Sequence, residues 1–454
     1  MARSSLCSRL SDELNRVPVV DTHEHLAHPD FWLKRRLDFG WLFMHYASCD
    51  LISAGMPSGD MAQVQGEHLS EEEKWRLVEP YWERARNTAY CRALLRSIRE
   101  VYGIEDLNRH TYQALGQAMR RSQKQHFFRT TLRKAGIEVC LWNWLNLEGH
   151  TDVGFREEFD REMFVQDMVD PFIFPDPNLW RRKGHRLTNL ADYEDLIDAQ
   201  IARWAPLAPA YKIGHAYSRT LQFDNVPRAD AWPIFDRLLA SGKNAGELYA
   251  AGQFHWAPQG KALMDYICHF VISRCVEHGL PVKFHTGLQE GNGNYIAHSN
   301  PTHLTNLFLK YPRARFDLYH VGYPYFHEVG VLAKNFANVS IDFCCAWIMS
   351  PTAVRAVLHE YLEMVPWRKI HGFGGDYIMV EPVVGHLAFA RENIARVLAE
   401  KVEDGWFTEE QAVEVGRGLL RENAMEFFRI QDKRAAALAQ KPSAAKRSRR
   451  NGDR

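Results

Sequence analysis

Short apolar runs alternate with stretches of helical periodicity along most of this chain. The runs are Val17–Asp21, Ile137–Trp142, Met163–Phe174, Tyr211–Gly214, Pro281–His285, Phe316–His320, Val339–Phe343 and Ile370–Asp376. Helical spacing of apolar residues marks Ser5–Arg16, Ala262–His278, Pro301–Lys310, Thr352–Val365 and Val384–Ala399. One segment, residues 26–134, never alternates with period two. Within it Trp75, Val78, Tyr81, Trp82 and Ala85 recur at helical spacing, and Ser70 with Glu73 reads as a capping box. Eight buried strands interleaved with helices predict an α/β fold, a (β/α)8 TIM-like barrel with a helical insertion after the first strand. The expected organisation is one barrel domain over residues 1–432, with the 26–134 insertion inside it, and a tail over 433–454.

Composition is that of an ordinary globular chain: 454 residues, 46% hydrophobic and 25% charged, which excludes collagen-like, disordered and disulfide-framework classes. The balance of 56 basic and 56 acidic residues hides an asymmetry. Eight of the basic residues and a single acid, Asp453, fall at 433–454, leaving 48 basic against 55 acidic in the body. That tail lacks aromatic residues and reads as disordered. The body shows no basic stripe with interleaved aromatics, which argues against a nucleic-acid partner. No run of about 18 apolar residues predicts a membrane span. The eight cysteines lack C-x-x-C pairing, and the N-terminus lacks the apolar core of a signal peptide. A reduced, cytoplasmic protein with a small-molecule substrate is expected; the composition leaves a homo-oligomer open.

Barrels of this kind carry their chemistry at the C-terminal ends of the strands. The first strand ends Asp21-Thr22-His23-Glu24-His25, and two histidines at i and i+2 on extended backbone point the same way, able to reach one metal ion. His285 tips the fifth strand, His320 the sixth, and Asp376 follows two glycines at the eighth. Each alone is a weak signal; the coincidence of four strand ends carries the force. Neutral imidazoles with one carboxylate leave an open coordination position, where a zinc or manganese ion lowers the pKa of bound water to about 7. Asp376 beside that water can accept its proton and return it to a leaving group.

The motifs DTHEHL, KFHTG, LYHVGYP and GGD, with YKIGHAYSRTL and GLLRENAMEFF, resemble the amidohydrolase superfamily, over residues 17 to 431. The similarity is to its amidohydrolase-related branch, including domains fused to glutamine-synthetase-like partners, with a distant likeness to uronate isomerases in the insertion. The resemblance implies a divalent metal held by His23, His25, His285 and Asp376, with His320 as a second ligand or as the group polarising the carbonyl. Zinc is the expected ion, with manganese or iron(II) also suited. Lys212, in the fourth strand, reads as a carboxylated ligand, a substrate-facing ammonium or a wall residue.

Four residues are expected to bind substrate: Lys212, Tyr217, Gln289 and Arg219, the last as a fork for a substrate carboxylate. His327 and Glu381 lie near strand ends but equally suit the surface, Cys344 and Cys345 suit packing, and Trp142, Trp144 and Trp347 suit core or walls. The expected activity is metal-assisted hydrolysis of an amide, lactone or ester in a small polar substrate. The alternatives are isomerisation of a sugar acid or decarboxylation on the same site, or a metal-binding barrel without catalysis. Against the isomerase, TGLQEGNG after His285 lacks the arginine pattern associated with uronate isomerases.

Overall fold

The computed structural model describes residues 5–143, 160–243 and 258–439; Trp144 and the tail from residue 440 lie outside them. Among the described residues, nine short parallel strands build the barrel: β1 (Val19–Glu24), β2 (Ile137–Trp142), β3 (Phe164–Gln166), β4 (Met168–Val169), β5 (Tyr211–Ile213), β6 (Val282–Phe284), β7 (Phe316–Leu318), β8 (Val339–Cys344) and β9 (Ile370–Gly374). Hydrogen bonds join β1-β2-β3 into one sheet and β4 through β9 into another. The third stave is split into β3 and β4 at Asp167, so the fifth to eighth staves are β6 to β9. The β9–β1 seam is closed just past the strand ends, where Asp376 N donates to His23 O (2.8 Å) and His25 N to Tyr377 O (3.1 Å). Eight staves with intervening helices make the (β/α)8 barrel that the alternation predicts.

The insertion is helical throughout and folds around its own aromatic core. Trp75 stacks on Tyr112 at 5.4 Å, and the indole of buried Trp82 donates to Leu107 O at 2.8 Å. The capping box forms as read: Ser70 and Glu73 satisfy each other's backbone N–H at the start of helix Glu71–Ala85. Helix Ala89–Tyr102 crosses helix Glu381–Glu403 so closely that a Cβ on Gly385 would meet Ala93 O at 2.2 Å. Glycine is the residue that permits this contact, and with it the insertion docks against the last barrel helix.

The C-terminal boundary differs from the expectation. Lys433 to Ala439 are not a loose tail; they belong to helix Ile430–Ala439. Lys433 is buried with its ammonium donated to the Ala205 carbonyl, and Ala437 O accepts from Arg161 at 2.9 Å. A lysine lays its aliphatic stem along apolar surface while its ammonium finds a carbonyl, which a charge count does not register.

Burial of histidine makes the fold acid-sensitive. His386 lies fully buried against Phe373 and Tyr377, and burial lowers its pKa to about 3. Above the unfolded value of about 6.5 both states are neutral and stability is complete. Below it the unfolded chain binds a proton that the folded chain refuses until pH 3. The urea midpoint is therefore expected to fall steadily from pH 6.5 to 4, and His386→Leu to flatten that fall. An unchanged pH slope in the variant would remove His386 from this account.

Candidate metal centre

The strand tips converge as the barrel requires. His23 Nε2 lies 3.1 Å from His25 Nε2, and these nitrogens lie 3.4 and 3.3 Å from Asp376 Oδ1. A tetrahedral ion with ligand bonds of about 2.0–2.1 Å sets its donors about 3.3 Å apart. Three donors already at that spacing fit a single divalent cation. The tautomers agree with this. His25 Nδ1 faces the Asn143 carbonyl at 2.8 Å, and a carbonyl only accepts, so Nδ1 carries the proton and Nε2 presents its lone pair. Burial lowers the pKa of His25, and of His23 further, so both imidazoles are neutral donors.

His285 and His320 form a second pair beside the first. His320 Nε2 is 3.0 Å from His285 Nδ1, while His320 Nδ1 is 3.0 Å from the Cys344 carbonyl. The same logic places the His320 proton on Nδ1 and leaves Nε2 as an acceptor. The sequence reading of His320 as a donor that polarises a carbonyl does not suit this tautomer; the ligand alternative does. Burial holds His320 down to about 4 and His285 well below its usual value, the neighbouring His320 adding to the effect on His285. His285 Nε2 is buried without a hydrogen-bond partner, a donor awaiting use. His285 stands outside the close group of His23, His25 and Asp376.

Asp376 is the centre of the arrangement. Burial pushes its carboxyl up, but His320, His25, His45 and the Tyr46 hydroxyl together bring the pKa below the ordinary value. Its backbone lies in the left-handed region at φ 63°, as does His320 at 66°, a conformation costly for non-glycine residues and held by the surroundings. The holding groups come from β1: Asp21 Oδ1 accepts from Gly375 N (2.9 Å), and Glu24 Oε2 from Tyr377 N (2.8 Å). A Cβ on Gly375 would strike Glu24 Oε1 at 1.8 Å, so the glycine before Asp376 makes room for that carboxyl. Burial raises the Asp21 pKa to about 6 and that of Glu24 further.

The predicted substrate residues divide. Lys212 Nζ is buried, without a hydrogen-bond partner, 3.9 Å over the Tyr319 ring, and burial brings its pKa to about 8. Tyr217 is half-exposed with its ring 4.8 Å from that of His285, and Gln289 is buried with Oε1 unpartnered. Arg219 is committed elsewhere: its guanidinium donates to Asp265 (2.5 Å), Gln222 O and Thr220 O and lies over Phe223. With Nε and Nη2 engaged and Nη1 buried without a partner, this guanidinium braces the loop against Asp265, and the expected carboxylate clamp does not form. His327 is exposed and paired with Glu360 at 2.7 Å, and Glu381 accepts from Tyr102 at 2.8 Å, so neither reaches the centre. Two contributors had no sequence signal. Tyr46, from the insertion, donates to Asp376 Oδ2, and His45 lies beside it with ring centroids 4.2 Å apart.

Comparison with known proteins agrees with this architecture. A family model described as amidohydrolase matches residues 201–430. Protein fluG of Emericella nidulans is 32% identical over 167 residues, covering 36% of this chain and 18% of that protein, so the match spans less than a fifth of this curated relative. Among solved structures, glucuronate isomerase from Caulobacter crescentus superposes with a TM-score of 0.73 at 15% identity, covering 97% of this chain and 95% of its own. Uronate isomerase from Thermotoga maritima gives 0.72 at 14%, covering 93% and 97%. A Lactobacillus casei protein provisionally assigned as a metal-dependent hydrolase gives 0.60 at 15%, covering 93% and 98%. At these identities the structural likeness shows the fold alone.

Proposed function

We propose, on the premise that this chain belongs to the amidohydrolase family, that it is a metal-dependent hydrolase. Its substrate is a small polar molecule with an amide, lactone or ester bond and an anionic group. The observation that carries the reading is the triad His23, His25 and Asp376, whose donor atoms stand as far apart as the ligands of one metal ion, with neutral imidazoles. Those three side chains would hold the ion, His285 and His320 being next to hand. A divalent cation there supplies Lewis acidity, acidifying water and polarising a substrate oxygen. Zinc suits this nitrogen-rich donor set, and a cytoplasmic location suits the eight free cysteines.

The chain's own residues do the rest. Asp376, kept ionised by its histidine neighbours, accepts a proton at neutral pH and delivers it to the departing amine or alkoxide. The Tyr46 hydroxyl fixes Oδ2 and so aims Oδ1 at His23 and His25, where it would help hold the ion. Lys212 offers a buried, unpartnered ammonium that is still largely protonated at pH 7, and it receives an oxyanion or carboxylate. Tyr217 and Gln289 line the approach. Sugar-acid isomerisation is the second reading, favoured by the whole-length superposition on two uronate isomerases.

One experiment separates these readings. The metal-loaded protein is incubated with panels of N-acyl amides, lactones and hexuronates and followed by NMR, with a chelator-stripped sample alongside. Hydrolysis that vanishes on stripping and returns with zinc is the expected result. Interconversion of hexuronates without bond cleavage would move the assignment to isomerase, and undiminished turnover in stripped protein would end both.

A further inference from the structure

We propose that Glu290 is the anionic pole of the substrate site and receives the ammonium group of a zwitterionic substrate whose acidic end lies on Lys212. The proposal rests on the hydrolase reading above and deepens it by naming the substrate class: small amides, lactones or esters that carry a free amine opposite their acid. Glu290 lies in the loop after the fifth stave, five residues past His285.

Two neighbours fix where its carboxylate stands. Helix Ala47–Ser53 begins at Tyr46, whose hydroxyl donates to Asp376, and Cys49 follows three positions later on the same side of the helix. The Cys49 thiol donates to Glu290 Oε1 at 3.7 Å. Glu290 therefore meets this helix about one turn, roughly 5 Å, from where Asp376 meets it. On its other side Glu290 N donates to the Tyr217 hydroxyl at 3.0 Å, and the Tyr217 ring lies 4.8 Å from that of His285. The residue thus spans from the insertion to the fourth-stave loop, beside the strand-tip histidines and at the half-exposed Tyr217.

The loop is tied down around it. Leu288 N donates to Tyr323 O (2.6 Å), Gln289 Nε2 to Ala216 O (3.1 Å), Asn292 Nδ2 to Cys49 O (3.1 Å) and Asn294 Nδ2 to Glu290 O (2.9 Å). A Cβ on Gly287 would meet Gly322 C at 2.4 Å, and Gly291 and Gly293 adopt left-handed φ values of 86° and 82°, so the turn that presents Glu290 requires glycine. Against this fixed backbone the carboxylate is given a thiol, a weak donor, and among the described residues no cation pairs with it. Partial burial and the like charge of Asp376 both raise its pKa. A substrate ammonium answers both, since it restores strong hydrogen bonds and supplies the missing positive charge, whereas a hydroxyl supplies a hydrogen bond alone. Lys212, buried and unpartnered, is the opposite pole. Fixed poles of opposite sign orient a zwitterion one way and disfavour its reverse.

The test is isothermal titration of the zinc-loaded full chain with ω-amino acids from 3-aminopropanoate to 6-aminohexanoate, and with the monocarboxylates and dicarboxylates of matching length. At least one ω-amino acid is expected to bind about tenfold or more tightly than its monocarboxylate, the gain of one charge-assisted hydrogen bond. Glu290→Gln is expected to bring that ratio to within about a factor of two, because the charge is lost and a neutral hydrogen bond remains. Glu290→Lys is expected to turn the preference toward the dicarboxylate, and both variants to keep the parent's circular dichroism and zinc content. Equal binding of amino acids and monocarboxylates, or a preference that survives Glu290→Gln, would overturn the assignment of Glu290 and leave the hydrolase reading standing. Binding of neither series would overturn the Lys212 pole and this proposal together, while chelator-sensitive hydrolysis decides the reaction separately.

Discussion

Asp376→Asn is expected to lower turnover by at least about 10²–10⁴-fold, the range associated with losing a positioned general base, because it removes an anionic ligand as well. The fold should survive. Asparagine tolerates the left-handed backbone that Asp376 adopts at φ 63°, and its amide occupies the same volume beneath Tyr46. What is lost is the negative charge facing His23 and His25 at 3.3–3.4 Å. Turnover on whichever substrate the panel identifies and metal content after dialysis should fall together, with an unchanged circular-dichroism spectrum. Activity within a factor of two of the parent would show that Asp376 is neither base nor ligand.

Lys283→Met is expected to cost the fold about 3–5 kcal/mol, the magnitude for leaving a buried charge without its partner. Lys283 and Asp167 are both fully buried inside the barrel, 2.6 Å apart, and Lys283 Nζ also donates to Thr22 O at 2.9 Å. Burial raises the Asp167 pKa and Lys283 is the chief group holding it down, so without the lysine the carboxyl takes up a proton or water. The same Asp167 carboxylate accepts from the Asn143 side chain at 2.6 Å, and the Asn143 carbonyl orients His25. Urea unfolding reads the stability loss, and the Lys283→Met, Asp167→Leu double variant should recover much of it. A single variant as stable as the parent would show that the pair contributes nothing net.

Much of the candidate centre was legible before the fold was known because its signals are local. Alternation of apolar runs with helical stretches follows from strand and helix geometry over a few residues, and it located all eight staves. The third was read as one long run, Met163–Phe174, whereas the barrel uses β3 and β4 on either side of buried Asp167. No periodicity marks a break at a residue whose side chain turns inward to meet Lys283. The DTHEHL motif is equally local: i and i+2 on a strand share a face whatever the rest of the chain does.

Contacts across the chain were beyond that reach. Tyr46 and Asp376 are 330 positions apart, and only docking of the insertion brings the hydroxyl to the carboxylate. Arg219 reads from sequence as a free fork, yet Asp265 from a following helix takes it; Cys344 reads as packing, yet its place at the end of β8 brings it within 4.8 Å of His320 and Asp376. Lys433 counts as part of a solvated basic tail until Ala205 accepts its ammonium. The sequence by itself determined the barrel, its helical insertion and the strand tips that carry histidine and aspartate, since these depend on backbone geometry and residue chemistry over short spans. The tertiary structure alone decided which side chains are free to act, because a buried polar group is committed by whichever partner the fold brings within hydrogen-bonding distance.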